Sequence, residues 1–192
     1  MKRFARTERL FGTEALKKLK SARVTVVGLG AVGSFAVEAL ARTGVGHLFL
    51  VDMDDVQESN INRQLFALDS VMGKPKVDVA RARILDIHPS CRVETLKTLV
   101  NRNSIPAVLE KPADILIDAI DSVGPKVDLL HAALQANLKA VISSMGAAEK
   151  TDPFKVLVGD ISRTHNCNLA RYIRKRLKQL GVSQGITCDY ST

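Results

Sequence analysis

Gly28-Leu29-Gly30-Ala31-Val32-Gly33 has the spacing of a loop that cradles phosphate. The first glycine permits a tight turn, the second lets backbone approach an anion, and the third allows a helix to lie close to a sheet. The N–H groups that open such a helix point at the anion, helped by the helix dipole. Asp52, 24 residues after Gly28, is placed to accept hydrogen bonds from ribose hydroxyls. Together these residues imply an adenine nucleotide and leave a dinucleotide and ATP both open.

Arg63, Lys76 and Asp121 bear on that choice. A dinucleotide carries only a pyrophosphate bridge, whereas ATP carries about four negative charges that must be neutralised before its α-phosphorus can be attacked. Arg63 offers a planar fork for phosphate oxygens and Lys76, early in its helix, a point charge. Asp121 falls just past the carboxyl end of a strand, the edge where open α/β sheets bind ligands, and suits a magnesium ion bridging phosphates. Singly, a lysine on a helix is usually solvated and an aspartate after a strand is often a helix cap. In this order they favour ATP over a nicotinamide cofactor.

The elements that must position these groups alternate. Apolar runs at Arg23–Val27, His47–Val51, Asp114–Asp118 and Ala140–Ile142 read as buried strands, with a further strand over 92–99. Helical spacing covers Ala31–Thr43, Lys76–Ile87 and Val127–Asn137. Near-continuous apolar strands separated by helices indicate a parallel sheet covered on both faces. The fold class is α/β, doubly wound and Rossmann-like, with a mostly parallel sheet and an antiparallel C-terminal extension. One ATP-binding domain is expected over 1–192, with an N-terminal arm or helix over 1–22, a nucleotide-binding core over 23–150 and a basic extension over 151–192. In the extension, Phe154–Val158 reads as a strand and Asn168–Leu180 as a helix.

The 192 residues are 46% hydrophobic and 25% charged, which excludes a disordered or fibrous chain. Aromatics are 4%, too few for stacking platforms that hold single-stranded nucleic acid. Three dispersed cysteines, Cys91, Cys167 and Cys188, form neither a disulfide framework nor a zinc ribbon. Polar residues follow Met1-Lys2-Arg3-Phe4 where a secretory signal would be apolar, and Glu38, Arg42 and His47 interrupt the most apolar stretch, so no membrane span is expected. A cytoplasmic setting follows. Of the net charge of +8, six positive residues (Arg163, Arg171, Arg174, Lys175, Arg176 and Lys178) lie between Ile161 and Cys188, where there is no acidic residue. Arg171, Arg174, Lys175 and Lys178 repeat at helical spacing, a stripe suited to a nucleic-acid backbone or simply to solvent.

The pattern D-x-D-x(5)-N-x-x-R-Q, then G-x-P-K, on a G-x-G-x-x-G fold resembles the adenylating superfamily related to ubiquitin-activating enzymes (HesA, MoeB and ThiF), from about Arg6 to Ser144. The tail selects a branch: Ser143-Ser144-Met145-Gly146-Ala147, Asp152-Pro153, Asp160-Ile161, Leu169-Ala170-Arg171 and Cys188-Asp189-Tyr190-Ser191 resemble the tRNA threonylcarbamoyladenosine dehydratases. The resemblance implies a ligase-type enzyme that uses ATP and magnesium to cyclise the threonylcarbamoyl side chain of an adenosine in tRNA. It implies that Gly28, Gly30, Gly33, Asp52 and Asp54 bind nucleotide, Asp52 through the ribose. Asn60, Arg63, Gln64 and Lys76 hold the phosphates. Asp121 serves metal and triphosphate, and Arg9 is lent to the partner copy of a homodimer. Members of that family continue past Tyr190-Ser191, so a chain ending at Thr192 is expected to be a curtailed one.

By that resemblance the substrate carboxylate attacks the α-phosphorus, and ring closure within the same side chain then expels AMP. An intramolecular attack already has high effective molarity, so neither Cys167 nor Cys188 is required as nucleophile. His165 lies in the basic segment within reach of phosphate; His47, His88 and His131 read as structural or solvated. Two other readings stand. One is an adenylyltransferase for a carrier protein, with a cysteine desulfurase system as further partner; the lack of C-x-x-C pairs counts against it. The other is a nicotinamide-dependent oxidoreductase, which Arg63, Lys76 and Asp121 do not support.

Overall fold

The computed structural model describes residues 2–192. By its internal contacts the chain divides into two compact units, Met1–Thr98 and Leu99–Thr192. Among the described residues it carries seven strands, mostly parallel with one antiparallel pair, flanked by helices. The α/β class and the antiparallel C-terminal pair are those the sequence implies.

The first unit runs α1 (Ala5–Phe11), α2 (Thr13–Ser21), β1 (Arg23–Val27), α3 (Ala31–Thr43), β2 (His47–Asp52), α4 (Lys76–Ile87) and β3 (Arg92–Lys97). Its strands are ordered β3-β2-β1 and all parallel, with Val27 beside Val51 and Asp52 beside Lys97. Val26, Val27, Leu50 and Val51 have no exposed surface, because parallel strands roofed on both faces must be apolar on both. The helix α3 stops where Gly44 turns left-handed at φ 100°, its N–H reaching the carbonyls of Leu40 and Ala41. A little further on, a Cβ at Gly46 would lie 1.8 Å from the Lys20 carbonyl oxygen, so only glycine lets the chain pass α2 into β2.

The second unit runs α5 (Ile105–Leu109), β4 (Ile115–Asp118), α6 (Val123–Gln135), β5 (Ala140–Ser144), β6 (Val156–Asp160), α7 (Asn168–Gln179) and β7 (Thr187–Ser191). Its strand order is β4-β5-β7-β6, the last pair antiparallel. The basic helix α7 turns Ala170, Ile173 and Leu177 inward and packs on α6. Burying Ile173 and Leu177 contributes about 1.5–3 kcal/mol each, which holds the charged face of α7 outward.

Several boundaries differ from expectation, the strand over 92–99 ending at Lys97 and that from Ala140 running on to Ser144, and two of the differences have a plain local cause. The helix expected from Val127 begins at Val123, since Pro125 falls in its first turn, where a missing N–H breaks no helical bond. The strand expected over Phe154–Val158 is Val156–Asp160, because Asp152 caps a 3-10 turn at Pro153–Lys155 first.

Candidate active site

At the end of β1 the backbone turns through Gly28, whose φ of 92° is open to glycine at little cost, and its N–H donates to the Val51 carbonyl at 2.8 Å. Gly30 then starts α3 with no side-chain cap, so the helix opens on backbone N–H groups alone. A Cβ at Gly30 would meet nothing nearer than Gln64 Nε2 at 3.8 Å. Internal packing thus leaves space above this glycine, as a loop that admits a ligand would. Gly33 and Ser34 are buried beneath it, and Ser34 Oγ accepts the Leu65 N–H at 3.1 Å, pinning the 58–65 loop to α3.

Asp52 ends β2 and serves two loops at once. Its Oδ2 accepts the Leu29 N–H at 2.6 Å and its Oδ1 the Asp54 N–H at 2.8 Å. The carboxylate is thereby oriented before any ligand arrives, and each oxygen retains a second lone-pair direction. Asp54 continues the chain of contacts. Its Oδ2 lies 2.8 Å from Lys76 Nζ, and its carbonyl accepts the Lys76 N–H at 3.0 Å. Segments 54–56 and 73–76 are stitched further by Val56 N–H to Lys74 O, Gly73 N–H to Val56 O and a bridge between Asp55 and Pro75. Lys76 is 4% exposed; a buried ammonium needs such a partner, since its hydration has been stripped away.

Between those segments, a 3-10 turn at Glu58–Asn60 buries Asn60, whose Oδ1 accepts the Gln57 N–H at 3.0 Å. Arg63 is exposed, its Nη1 donating to the Ser59 carbonyl at 2.7 Å and to Asn62 Oδ1 at 2.9 Å. The glycine loop, Asp52, Asp54, Gln64 and Lys76 are thus linked by direct neighbours, while Arg63 folds back on its own turn. Arg9 lies exposed at the last turn of α1.

In the second unit, Asp121 is exposed just after β4, and its Oδ1 accepts the Ser122 hydroxyl at 3.3 Å. Beside it lies a group the sequence reading missed. Lys126 and Asp118, both fully buried, form a 2.7 Å ion pair, and Ser143 donates to Asp118 at 2.6 Å. Asp118 reads in sequence only as a strand's last residue and Lys126 only as a polar position on a helix. Neither shows in sequence that it lacks solvent.

The same ordering of elements is found in known proteins. A family model described as the ThiF family matches residues 4–187. The chain belongs to the ThiF family. Within it, the tRNA threonylcarbamoyladenosine dehydratase of Bacillus subtilis is 45% identical over 188 residues, spanning 98% of this chain and 74% of that protein. The protein of the same name from Escherichia coli is 40% identical over 197 residues, spanning 99% and 73%. The crystal structure of the Escherichia coli enzyme in complex with ATP superposes with a TM-score of 0.95 at 39% identity, covering all of this chain and 81% of that one.

In this ThiF-family chain two of the three cysteines, Cys91 and Cys188, are buried. Burial pushes the Cys188 thiol up to about 12 and Cys91 up to about 11; near neutral pH neither supplies thiolate. Cys167 has a local task, its Sγ accepting the Ala170 N–H at 3.5 Å where α7 begins. His165 stands edge-on to Tyr190, ring centroids 5.6 Å apart.

The residues of the basic stripe are not equally exposed. Arg171, Lys175 and Lys178 are exposed along α7. Arg174 is not offered in the same way: its Nη1 donates to the Thr164 carbonyl at 2.8 Å and also to the Thr164 hydroxyl. It sits on the edge of the buried face and ties α7 to the preceding turn, so it stands apart from the exposed stripe.

Proposed function

We propose that this chain is an ATP-dependent tRNA threonylcarbamoyladenosine dehydratase. The observation that carries the reading is similarity along nearly all of this chain to proteins of that name, one of them solved with ATP. The substrate carboxylate attacks the α-phosphorus of ATP to give an acyl-adenylate and pyrophosphate. A nucleophilic atom of the same side chain then attacks the activated carbonyl, and AMP departs with one former carboxylate oxygen. The net change is the loss of one water.

Two anions must meet in the first step, so cations supply much of the barrier reduction. Lys76, pre-held by Asp54 and already stripped of water, interacts more strongly with phosphate than a hydrated lysine would. Arg63 adds a planar fork, and Gln64 and Asn60 add amide donors beside it. The N–H groups opening α3 hold phosphate oxygens, and Asp52 receives ribose hydroxyls.

The exposed carboxylate of Asp121 fits magnesium, which is usually held by one or two carboxylates together with substrate phosphates. When bound, magnesium neutralises charge on the triphosphate. Arg9 on α1 is the residue lent to a second copy in a homodimer. Arg171, Lys175 and Lys178 follow the tRNA backbone, with recognition resting on RNA shape and one extruded base. Three unpaired cysteines suit a reducing, cytoplasmic setting. Among the described residues no helix is long and apolar enough to cross a membrane.

The test is incubation with ATP, magnesium and tRNA bearing threonylcarbamoyladenosine, followed by nucleoside mass spectrometry. A product lighter by one water is expected, and an unchanged nucleoside from folded, ATP-binding protein rejects the reading. Arg63→Ala and Lys76→Ala should each lower turnover by about a hundredfold, the scale of removing one transition-state charge partner. Unaffected turnover in either would remove that residue from the site.

A further inference from the structure

Asp118 Oδ2 and Lys126 Nζ lie 2.7 Å apart with neither side chain exposed. Such a pair is weak evidence of stabilisation, because well-packed apolar residues in its place are often neutral or better. What sets this one apart is where its remaining hydrogen bonds go. Asp118 Oδ1 accepts the N–H of Ile120 at 3.0 Å, and Lys126 Nζ donates to the carbonyl of the same Ile120 at 2.8 Å. Both backbone polar groups of a single residue are therefore gripped, one by each charge. From β5, Ser143 Oγ–H holds Asp118 Oδ2 at 2.6 Å. Burial pushes the Asp118 carboxyl up, and Lys126, Ser143 and the Ile120 N–H oppose that shift.

The gripped residue immediately precedes Asp121, whose carboxylate is exposed. We infer that Asp118, Lys126 and Ser143 are positioning residues that clamp the Ile120 backbone and so fix the Asp121 carboxylate for the magnesium–nucleotide complex. The inference rests on the role proposed above for Asp121. Its physical basis is that a misplacement of about 1 Å in a catalytic arrangement can lower a rate a hundredfold. A short loop between a strand and a helix has few other means of staying fixed.

The experiment compares Asp118→Leu/Lys126→Met, which removes both charges together, with Asp121→Ala and with the combination of all three. Ser143→Ala, which deletes one hydroxyl, serves if the apolar pair does not fold. Amide hydrogen exchange over residues 119–122 reads the loop; kcat, the KM for ATP and the magnesium half-saturation read the site. The clamp variant should exchange faster at 119–122, lose roughly ten- to a hundredfold in kcat with little change in KM, and need more magnesium. Added to Asp121→Ala it should cost little more, because residues acting through one group are not additive. Ser143→Ala should move the same readouts in the same directions by less. Unchanged loop exchange, unchanged kcat in a folded clamp variant, or losses that add fully to those of Asp121→Ala would overturn the clamp. Wild-type turnover in Asp121→Ala overturns the underlying assignment instead, and is told apart by loop exchange that is still accelerated in the clamp variants.

Discussion

Lys76 and Cys188 are both buried, yet their chemistries are opposite, and the difference lies in their partners. Lys76 has the Asp54 carboxylate at 2.8 Å and keeps a neighbour for its charge. Cys188 sits where burial favours the neutral thiol, near 12. Near pH 8, iodoacetamide should therefore modify Cys167 in the native chain and spare Cys188 and Cys91, as peptide mass spectrometry would read. Cys188→Ala should retain turnover, and lost turnover at unchanged stability would restore a catalytic thiol to the account. Asp54→Ala leaves a buried ammonium unpaired and should lower stability by about 1–3 kcal/mol, on the scale of an orphaned buried polar group, as urea unfolding would measure.

The elements were legible in the sequence to the extent that their signals were local. Apolar runs gave the buried strands, and the glycine loop between β1 and α3 announced itself by spacing. The start of α6 did not, because Gly124-Pro125 resembles a breaker unless proline is known to occupy a first turn. The stripe on α7 was visible as periodicity, but which of its arginines is tied back depends on Thr164, ten residues upstream. That distinction is testable. Replacing Arg171, Lys175 and Lys178 together by alanine should weaken tRNA binding across sequences and reduce the slope of log affinity against log salt by about three. Arg174→Ala should instead lower the melting temperature and leave that slope nearly intact, and the reverse pattern would exchange the two roles.

At the scale of the whole molecule, stability answers to pH through the buried His88. Burial lowers the proton affinity of His88, against a backbone bond to Val45, and its ring stands edge-on to Phe4 at 4.7 Å. The folded chain thus holds that proton less tightly than the unfolded chain does. Its contribution is fully present above the unfolded value of about 6.5 and is lost as pH falls below it. His88→Leu should flatten the stability curve between neutrality and pH 5, and an unaltered curve would assign the slope elsewhere. The buried clamp of Asp118, Lys126 and Ser143 was illegible for a related reason: only the folded chain reveals which charges have lost their water. The residues proposed for the nucleotide, by contrast, could be singled out from sequence because phosphate chemistry constrains both residue type and spacing.

The central claim is that the substrate carboxylate attacks the α-phosphorus of ATP. Preparing the threonylcarbamoyl substrate with oxygen-18 in its carboxylate and following the label through one turnover tests it directly. The account predicts one labelled oxygen in the phosphate of AMP, with unlabelled pyrophosphate. Label in inorganic phosphate, or cyclised nucleoside formed without labelled AMP, would contradict it.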